Sequence, residues 1–220
     1  MTPSHRKITV HLPLPATVEE LWERTFKAKL RSQIRRPGKE GMTAARGAGE
    51  LGAFYDVFAR NMRDLGTPVL PRAFFEHIRD AFGDRAIFSA VRTADGHPAA
   101  AACSLEWRGE VEIVWASSVR AYNKFSPNML LYADLIEESV RRGARIFNFG
   151  RCTPGGPTHK FKTQWGGEDI PLAWPYWSRA GTVGTPSPDR PIFRAATAVW
   201  SRLPLAVANR LGPVLARQLP

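Results

Sequence analysis

The residues with the most chemically useful side chains lie together in one stretch, FGRCTPGGPTHKFKTQWGG, at positions 149–167. Lys162 can supply a positive charge there, and His159 can accept a proton near neutral pH because an unperturbed imidazole has a pKa of about 6.5. Cys152 has no activating partner in the nearby sequence, so a thiol nucleophile is not favoured. The stretch therefore suits stabilisation of a developing negative charge and removal of a proton.

The same stretch also admits a purely structural interpretation. Phe161 and Trp165 are four residues apart, so they can form a hydrophobic pair that anchors a turn, with Lys162 in solvent. Arg151 follows a short predicted strand, where open sheets often carry functional residues. Its guanidinium suits a phosphate or carboxylate ligand and an ordinary surface ion pair equally well. The residue types alone leave these interpretations open.

The chain as a whole is basic. Its 220 residues carry 31 Lys and Arg against 20 Asp and Glu, a net charge of +11, and 44% of them are hydrophobic, enough to bury the core of one large domain. The charge favours an anionic partner: nucleic acid, a phosphorylated substrate or lipid headgroups. No cluster of His, Cys and acidic residues has metal-site spacing, so we expect no metal.

Cysteine content and apolar runs indicate where the chain works. Cys103 and Cys152 are too few for a disulfide framework, and the first residues lack the apolar run of a secretory signal, so we expect a cytosolic, reducing location. The apolar stretch at 192–216 is interrupted by arginines and Pro204, which argues against a membrane-spanning helix. It fits either a helical pair packed on the domain or a cationic amphipathic segment on an anionic membrane.

The first predicted elements are a strand at 7–14 and a helix at 15–36. Thr17 is expected to cap the helix, with Glu20 completing a capping box, and Pro37 to end it together with Gly38. The apolar stripe of the helix consists of Trp22, Phe26, Leu30 and Ile34. A basic ridge consists of Arg24, Lys27, Arg31 and Arg35. The ridge is either a solvated helix face or a phosphate-binding surface.

Two helices and an antiparallel meander follow. The spacing of apolar residues predicts helices within 49–66 and 71–84, and turn signals divide residues 85–119 into three strands. Alternation places three residues on one face of the third strand: Val111, Ile113 and Trp115.

The clearest predicted boundaries belong to a helix at 126–143. Ser126 is its expected N-cap, Pro127 takes the first helical position, and Gly143 lies at its C-terminal stop.

After this helix the sequence predicts a short strand at 145–150, an irregular turn, and a last strand at 169–179 interrupted by Pro175. This order predicts an α/β (α+β) fold with a mixed, mostly antiparallel sheet flanked by helices, and it is similar to that of GNAT acyltransferases. In that architecture the sheet opens to expose backbone amides to an acyl carbonyl, and a helix N-terminus, here residues 126–129, meets the donor's phosphates. The candidate substrate-binding residues at this end are Ser118, Tyr122, Ser126 and Asn128; a helix cap and first turn need Ser126 and Asn128 equally.

Several motifs, in order, resemble the FemAB-like transferases, in particular the subgroup associated with exosortase and exopolysaccharide loci. They are LRSQIRRPGKEG, MRDLGTPVLPRAFF, WASSVRAYNKFSPNMLLYADLIEESVRRG, FNFGR and HKFKTQWGG, within a match that runs from about Lys7 to Trp177. The resemblance implies a GNAT-like fold and transfer of an aminoacyl group from aminoacyl-tRNA to the peptide of a peptidoglycan precursor. It also places the Phe161-Lys162 pair at the transfer site, where the lysine offsets negative charge and the aromatic ring shapes the pocket; Trp165 and Gly166 complete the motif.

The sequence departs from the family pattern in three respects. It matches only the C-terminal of two GNAT-like domains, so a separate chain carrying the first domain is a candidate partner. The usual FDFGRS is FNFGRC here, with Asn148 and Cys152 in place of a carboxylate and a serine. The glycine-rich pyrophosphate loop of acetyl-CoA enzymes is absent before Ser126, which favours a donor that is not simply acetyl-CoA.

These observations combine into one set of expectations. Residues 1–47 are an inter-domain junction remnant, 48–180 a GNAT-like acyltransferase domain, and 181–220 a basic amphipathic tail. The donor is acyl-CoA or aminoacyl-tRNA, with no tightly bound cofactor, and the acceptor is an amine, less favourably a hydroxyl, of a lipid-linked peptidoglycan or exopolysaccharide precursor. The enzyme works in the cytoplasm, with peripheral contact at the inner face of the membrane. The alternative is a non-catalytic basic module that binds nucleic acid, or half of a split two-domain transferase.

Overall fold

A computed structural model describes residues 3–175 and 191–217. Its strands are β1 Pro3–Pro13, β2 Thr43–Arg46, β3 Ala86–Arg92, β4 Pro98–Trp107, β5 Glu110–Ser118, β6 Ile146–Asn148 and β7 Glu168–Pro175. They form one sheet in the order β2-β3-β4-β5-β6-β1-β7, in which β5 and β6 are parallel and every other neighbouring pair is antiparallel. The predicted α/β class with a mostly antiparallel sheet is confirmed.

Helices cover both faces of this sheet. They are α1 Val18–Glu20, α2 Ala28–Lys39, α3 Leu51–Asp64, α4 Arg72–Phe82, α5 Pro127–Arg141, α6 Pro157–Thr163, α7 Pro191–Trp200 and α8 Leu205–Ala216. One core lies under α2 and α5 and includes Leu30 and Phe147, and a second lies under α3 and α4 and includes Phe54 and Phe75. The predicted single helix at 15–36 is therefore wrong, because α1 and α2 are separate.

The break between α1 and α2 comes from aromatic packing. A π-turn over Leu21–Thr25 leads into Phe26, whose backbone is extended. This turns the Phe26 ring into the core, edge-on to Trp22 at 5.4 Å and to Trp165 at 5.6 Å. A continuous helix would instead hold Phe26 one turn after Trp22 on the same face.

The start of the predicted helix is correct, but its end is not. Thr17 caps α1 as expected, since its hydroxyl accepts the Glu20 N–H. Pro37, expected to end the second part, lies inside α2, which continues to Lys39. Proline has no N–H, but here only the last turn follows it, and its carbonyl accepts the N–H of Met42, which closes the helix.

The meander is confirmed as β3, β4 and β5, with one error in the faces of β5. The register shifts opposite Cys103, so that Val114 is an extra residue, a β-bulge. Ile113 faces the core under α5, whereas Trp115 lies on the opposite face and contacts the Phe75 ring at 5.2 Å. The prediction that Trp115 shares a face with Ile113 is wrong because a bulge resets the two-residue alternation.

Helix α5 has nearly the predicted ends. Pro127 takes the first helical position, and Gly143 lies just beyond the last turn with φ +73°. Ser126 is at the N-cap position, but its backbone is left-handed, at φ 60° and ψ 45°, and its side chain makes no capping bond. The predicted capping hydroxyl is therefore wrong.

The glycine-rich stretch, expected to be irregular, contains α6. Pro154, Gly155 and Gly156 precede the helix, and Gly166 and Gly167 follow it. Pro157 takes the first helical position, where a missing N–H costs nothing. β2 was not predicted from the sequence at all. Of the predicted last strand, residues 176–179 lie outside the described residues.

β1 and the tail complete the fold. β1 lies inside the sheet, between β6 and β7, while the domain boundaries at 47 and 180 stay predictions. The helical pair considered for the tail is present as α7 and α8: Arg63 of α3 donates to the Leu203 carbonyl at 2.9 Å, and Gly212 lies against Val69. In the described ranges 3–175 and 191–217, no helix combines the length and apolarity needed to cross a bilayer.

Candidate active site

The sheet opens between β5 and β6. Residues 110–112 of β5 pair with the whole of β6. After residue 112, β5 still pairs with β4 but no longer with β6. Gly150 follows β6 at the point of separation, with φ +70°, and a Cβ there would lie 2.8 Å from the Ile113 carbonyl oxygen. Glycine therefore lets the two backbones touch at the apex of the opening before they diverge.

The opened edge of β5 presents backbone donors. Val119 donates its N–H to Ala99, on the β4 side. Because N–H groups alternate between the two edges of a strand, the amides of Ala116 and Ser118 point away from β4, into the opening. This is the arrangement expected from the order of elements.

Lys162 lies at the same apex, held by α6. Only 4% of the residue is exposed, and its Nζ donates to the carbonyls of Gly150 at 2.6 Å and Arg151 at 3.1 Å. Burial lowers the pKa of Lys162, while the charges of Cys152 and Glu112 partly oppose that shift. An ammonium has three N–H donors, and these two carbonyls engage two of them.

Phe161 and Trp165 belong to one aromatic cluster. Trp165 is fully buried, and the Phe161 ring meets Tyr132 edge-on at 4.9 Å. Phe161 also lines a cavity of about 350 Å³ at the N-terminus of α5. The cavity wall includes Gln33, Arg36, Ser126, Asn128, Phe161 and Gln164. Phe161 therefore packs in the aromatic cluster and also lines this cavity, and its role at a transfer site stays a prediction.

A polar network joins the end of β5 to the start of α5. Asn128 donates to the Ser118 hydroxyl at 3.3 Å, and that hydroxyl donates to Asn123 at 2.8 Å. The carbonyl oxygen of the Asn128 side chain is buried without a partner among the described residues. Asn128 thus contacts Ser118 directly, and it lines the cavity together with Ser126, while the substrate-binding roles of the three residues stay predictions.

Tyr122 points elsewhere. It lines a different cavity, of about 520 Å³, together with Asp56, Arg60 and His97. The structure therefore separates Tyr122 from the other candidate substrate-binding residues.

His159 has both ring nitrogens engaged. Nδ1 accepts the Gly155 N–H at 3.0 Å, which leaves the proton on Nε2, and Nε2 lies 2.9 Å from both carboxylate oxygens of Asp169. The imidazole thus links the start of α6 to β7. Neither nitrogen has a free lone pair for a substrate proton.

Arg151 and Cys152 follow β6. Arg151 is exposed, and its carbonyl accepts Lys162. Cys152 is buried, exchanges backbone hydrogen bonds with Ile8, and has its thiol pKa raised by burial. Among the residues that the structure describes, no three His, Cys, Asp or Glu side chains form a group that could hold a metal ion.

Glu112 is a site residue that sequence reasoning missed. It is the last β5 residue paired with β6, and its carboxylate lies near Gly150. Burial and the neighbouring Glu110 raise the pKa of Glu112, while His11 and Lys162 oppose the shift. Its only sequence signal is a carboxylate in an apolar strand, which resembles ordinary alternation.

Asn148 is explained by its neighbours. Its side-chain oxygen accepts the Thr9 hydroxyl and the Gly150 N–H, the latter at 2.8 Å, and its NH2 group donates to Glu110 at 2.7 Å. A carboxylate could accept those two bonds but could not donate to Glu110. The asparagine therefore fits this network and holds Gly150 at the apex.

Three residues of the basic ridge make contacts within the protein. Arg31 donates to the Trp22 carbonyl at 2.7 Å, Arg35 lies 5.5 Å from the Trp22 ring centroid, and Arg24 pairs with Glu20 at 3.5 Å. Lys27 is exposed.

A protein-family model described as an acetyltransferase (GNAT) domain matches residues 24–163. The chain belongs to the GNAT family. The opening between β5 and β6 is the candidate functional site of this GNAT domain. A search of curated proteins gives no match.

Solved structures show the same fold. FemX has 15% identity and a TM-score of 0.65, over 74% of this chain and 59% of that one. The C-terminal domain of a putative lysylphosphatidylglycerol synthetase from Agrobacterium fabrum has 15% identity and a TM-score of 0.59, over 76% and 58%. L-PGS from Bacillus licheniformis has 14% identity and a TM-score of 0.57, over 89% and 65%. This GNAT chain thus covers less than two thirds of each.

Proposed function

We propose that this GNAT enzyme transfers an aminoacyl or acyl group to an amine of a cell-envelope precursor, as the FemAB-like resemblance implies. The observation that carries the proposal is Lys162, buried where β5 and β6 separate, with its Nζ fixed by two carbonyls. A donor fixed before the reaction stabilises developing charge without reorganisation.

The proposed reaction is direct transfer. The acceptor nitrogen attacks the donor's carbonyl carbon, so that a C–N bond forms and the carbonyl oxygen becomes an oxyanion. One backbone amide of the opening, that of Ala116 or of Ser118, is proposed to donate to that oxyanion, and the positive charge of Lys162 offsets the developing negative charge. The C–S bond of a thioester, or the C–O bond of an aminoacyl ester, then breaks, and the leaving group takes up a proton.

Glu112 is the proposed proton acceptor for the amine. Its carboxylate lies at the apex, and burial raises its pKa toward the range where a general base works well. His159, the base expected from the sequence, is instead proposed to hold α6 in place through Gly155 and Asp169.

The donor is proposed to be an aminoacyl-tRNA or an acyl-CoA other than acetyl-CoA alone. Its phosphates would meet the N-terminus of α5, where Arg36, Ser126 and Asn128 line the cavity. A lysylphosphatidylglycerol synthetase, by its name, makes a lysine-bearing phospholipid, which supports an aminoacyl donor and a lipid-borne acceptor.

The acceptor is proposed to be lipid-linked, as a peptidoglycan or exopolysaccharide precursor is, and the enzyme to meet it at the inner face of the membrane.

The test is a transfer assay by mass spectrometry, with aminoacyl-tRNAs and acyl-CoAs as donors and lipid-linked precursors as acceptors. Lys162→Met should remove most product. Lys160→Met is the matched control, since Lys160 lies on the same helix but is exposed. Equal activity in the two variants would rule out the role of Lys162, and no product with any aminoacyl or acyl donor would rule out the proposed function.

A further inference from the structure

Helix α8 packs on the protein through its small residues. Ala208 and Gly212, four residues apart, are its two buried positions. A Cβ on Gly212 would lie 2.9 Å from both the Val69 side chain and the Val69 backbone nitrogen. The helix is therefore seated closely, in a fixed rotation about its axis.

That rotation turns the bulky apolar side chains outward. The exposed fractions are 40% for Val207, 46% for Leu211, 63% for Val214 and 43% for Leu215. Their spacing of three, four and eight residues places them on one helix face. Val199 of α7 is 64% exposed as well. A water-facing helix normally has the opposite arrangement, with its apolar stripe toward the core.

The charge of the segment identifies what would cover this face. From residue 191 to the end, the sequence has four arginines and no aspartate or glutamate. Arg210 and Arg217 are exposed, and their positions, three and ten residues after Val207, place them along the edge of the apolar face. An apolar stripe bordered by arginines is the pattern of helices that lie in the interface of an anionic bilayer.

A second copy of the chain fits less well. Two identical faces brought together would also bring their arginines together, without acidic residues from the same segment to neutralise them. Anionic lipid headgroups supply that opposite charge.

We infer that the outer face of α8, with Val199 of α7, docks the enzyme on an anionic membrane surface. This deepens the proposed function, on which it rests, by naming the surface that brings the site to a lipid-borne acceptor. The apolar side chains enter the boundary between headgroups and acyl chains, and Arg210 and Arg217 meet the headgroups.

Vesicle flotation tests this with the full chain and vesicles of phosphatidylcholine, with or without a minority of phosphatidylglycerol. The chain should float only with phosphatidylglycerol. The double variant L211E/V214E should lose flotation, while Trp107→Glu, at a residue that is 55% exposed on β4, should keep it. R210Q/R217Q should bind more weakly, by roughly fivefold for each arginine. Lys29→Gln with Lys39→Gln, both exposed on α2, is the charge-matched control.

Circular dichroism must show native folding of every variant, as expected for substitutions of exposed residues. Flotation that L211E/V214E leaves unchanged, or no flotation of the wild type, would overturn the docking surface. So would a dimer in analytical ultracentrifugation that L211E/V214E dissociates. Lys162→Met separates the two proposals: it should float normally while transferring nothing, and L211E/V214E should still transfer to a water-soluble acceptor analogue.

Discussion

Asn148 shows how one buried side chain sets the geometry of the site. It joins β6 to Thr9 of β1, to Glu110 of β5 and to the Gly150 amide, so it fixes three strands and the apex together. The geometry of the candidate site thus depends on a neutral side chain that both donates and accepts, as the amide of Asn148 does.

Asn148→Asp should lower the free energy of unfolding by about 1–3 kcal/mol at neutral pH, because the bond to Glu110 becomes a contact of two carboxylates. The loss should shrink at acidic pH, where one carboxyl takes up a proton. Urea unfolding measures both. Asn123→Asp is the control, since Asn123 is exposed and its oxygen only accepts from Ser118. Equal losses in the two variants would contradict the assigned network.

Glu112 should give the reaction its acidic pH limit. Its pKa lies above the ordinary 4.5, so kcat/KM should rise as the pH increases through that raised value and the base loses its proton. Glu112→Gln should lower kcat and abolish this rise. A folded-state carboxyl pKa above the unfolded value also means that stability falls as the pH rises across the same interval.

Glu40→Gln, at an exposed residue that directly follows α2, is the control for this pH profile. An unchanged rise in the Glu112→Gln variant would assign the proton transfer to another group.

At the scale of elements, the opening of the sheet depends on one bulge and one glycine. The Val114 bulge bends β5, and Gly150 brings the following backbone against Ile113 before the strands diverge. Neither feature belongs to a catalytic side chain, yet both determine where the Ala116 and Ser118 amides point.

Gly150→Ala should destabilise the protein more than Gly155→Ala. Both glycines have a positive φ, +70° and +74°, so each substitution incurs about 1 kcal/mol of backbone strain. Only at Gly150 does the new Cβ meet backbone, 2.8 Å from the Ile113 oxygen, whereas Gly155 has nothing within 4 Å. We expect roughly two to three times the loss at Gly150. Similar denaturation midpoints for the two variants would refute a tight apex.

The elements that the sequence predicts well have local signals. Pro127 and Gly143 set the ends of α5, and turn residues separate the strands of the meander. The bulge at Val114 and the rotation of Phe26 have no such signal, because they arise from pairing with β4 and from contact with Trp165. Tertiary contacts of this kind are invisible in a single sequence.

The candidate site was likewise predictable only where it has a local sequence signal. The family motif indicates Lys162 and Phe161, and the fold places both beside the opening. Glu112 could not be found, since the role proposed for it depends on the separation of β5 from β6. The occupied nitrogens of His159 depend on Asp169, which lies on a different element.

At the scale of the whole molecule, the charge of +11 bears on the donor. Binding of tRNA should weaken linearly in log K against log salt, since phosphate contacts release counterions. Lys27→Gln should reduce that slope by about 1 if Lys27 meets a phosphate. Lys39→Gln, outside the ridge, is the control. A slope that Lys27→Gln leaves unchanged would exclude the ridge as the tRNA surface.

Acetyl-CoA should not bind tightly. The segment before α5 lacks a glycine-rich loop for a pyrophosphate, and Ser126 there is held in a left-handed conformation. Isothermal titration calorimetry with acetyl-CoA should give no stoichiometric heat. Tight, stoichiometric binding that Arg36→Gln weakens would instead identify acetyl-CoA as the donor.

The position of β1 has a consequence for how the chain folds. Its partners are β6 and β7, so His11 pairs with Asn148 and with Glu168, far along the chain. During synthesis β1 therefore emerges long before either partner and has no strand beside it. Closing such long loops is slow, and unpaired strand edges are exposed meanwhile. The half of the sheet next to the active site thus completes last, and its catalytic geometry depends on the latest step of folding.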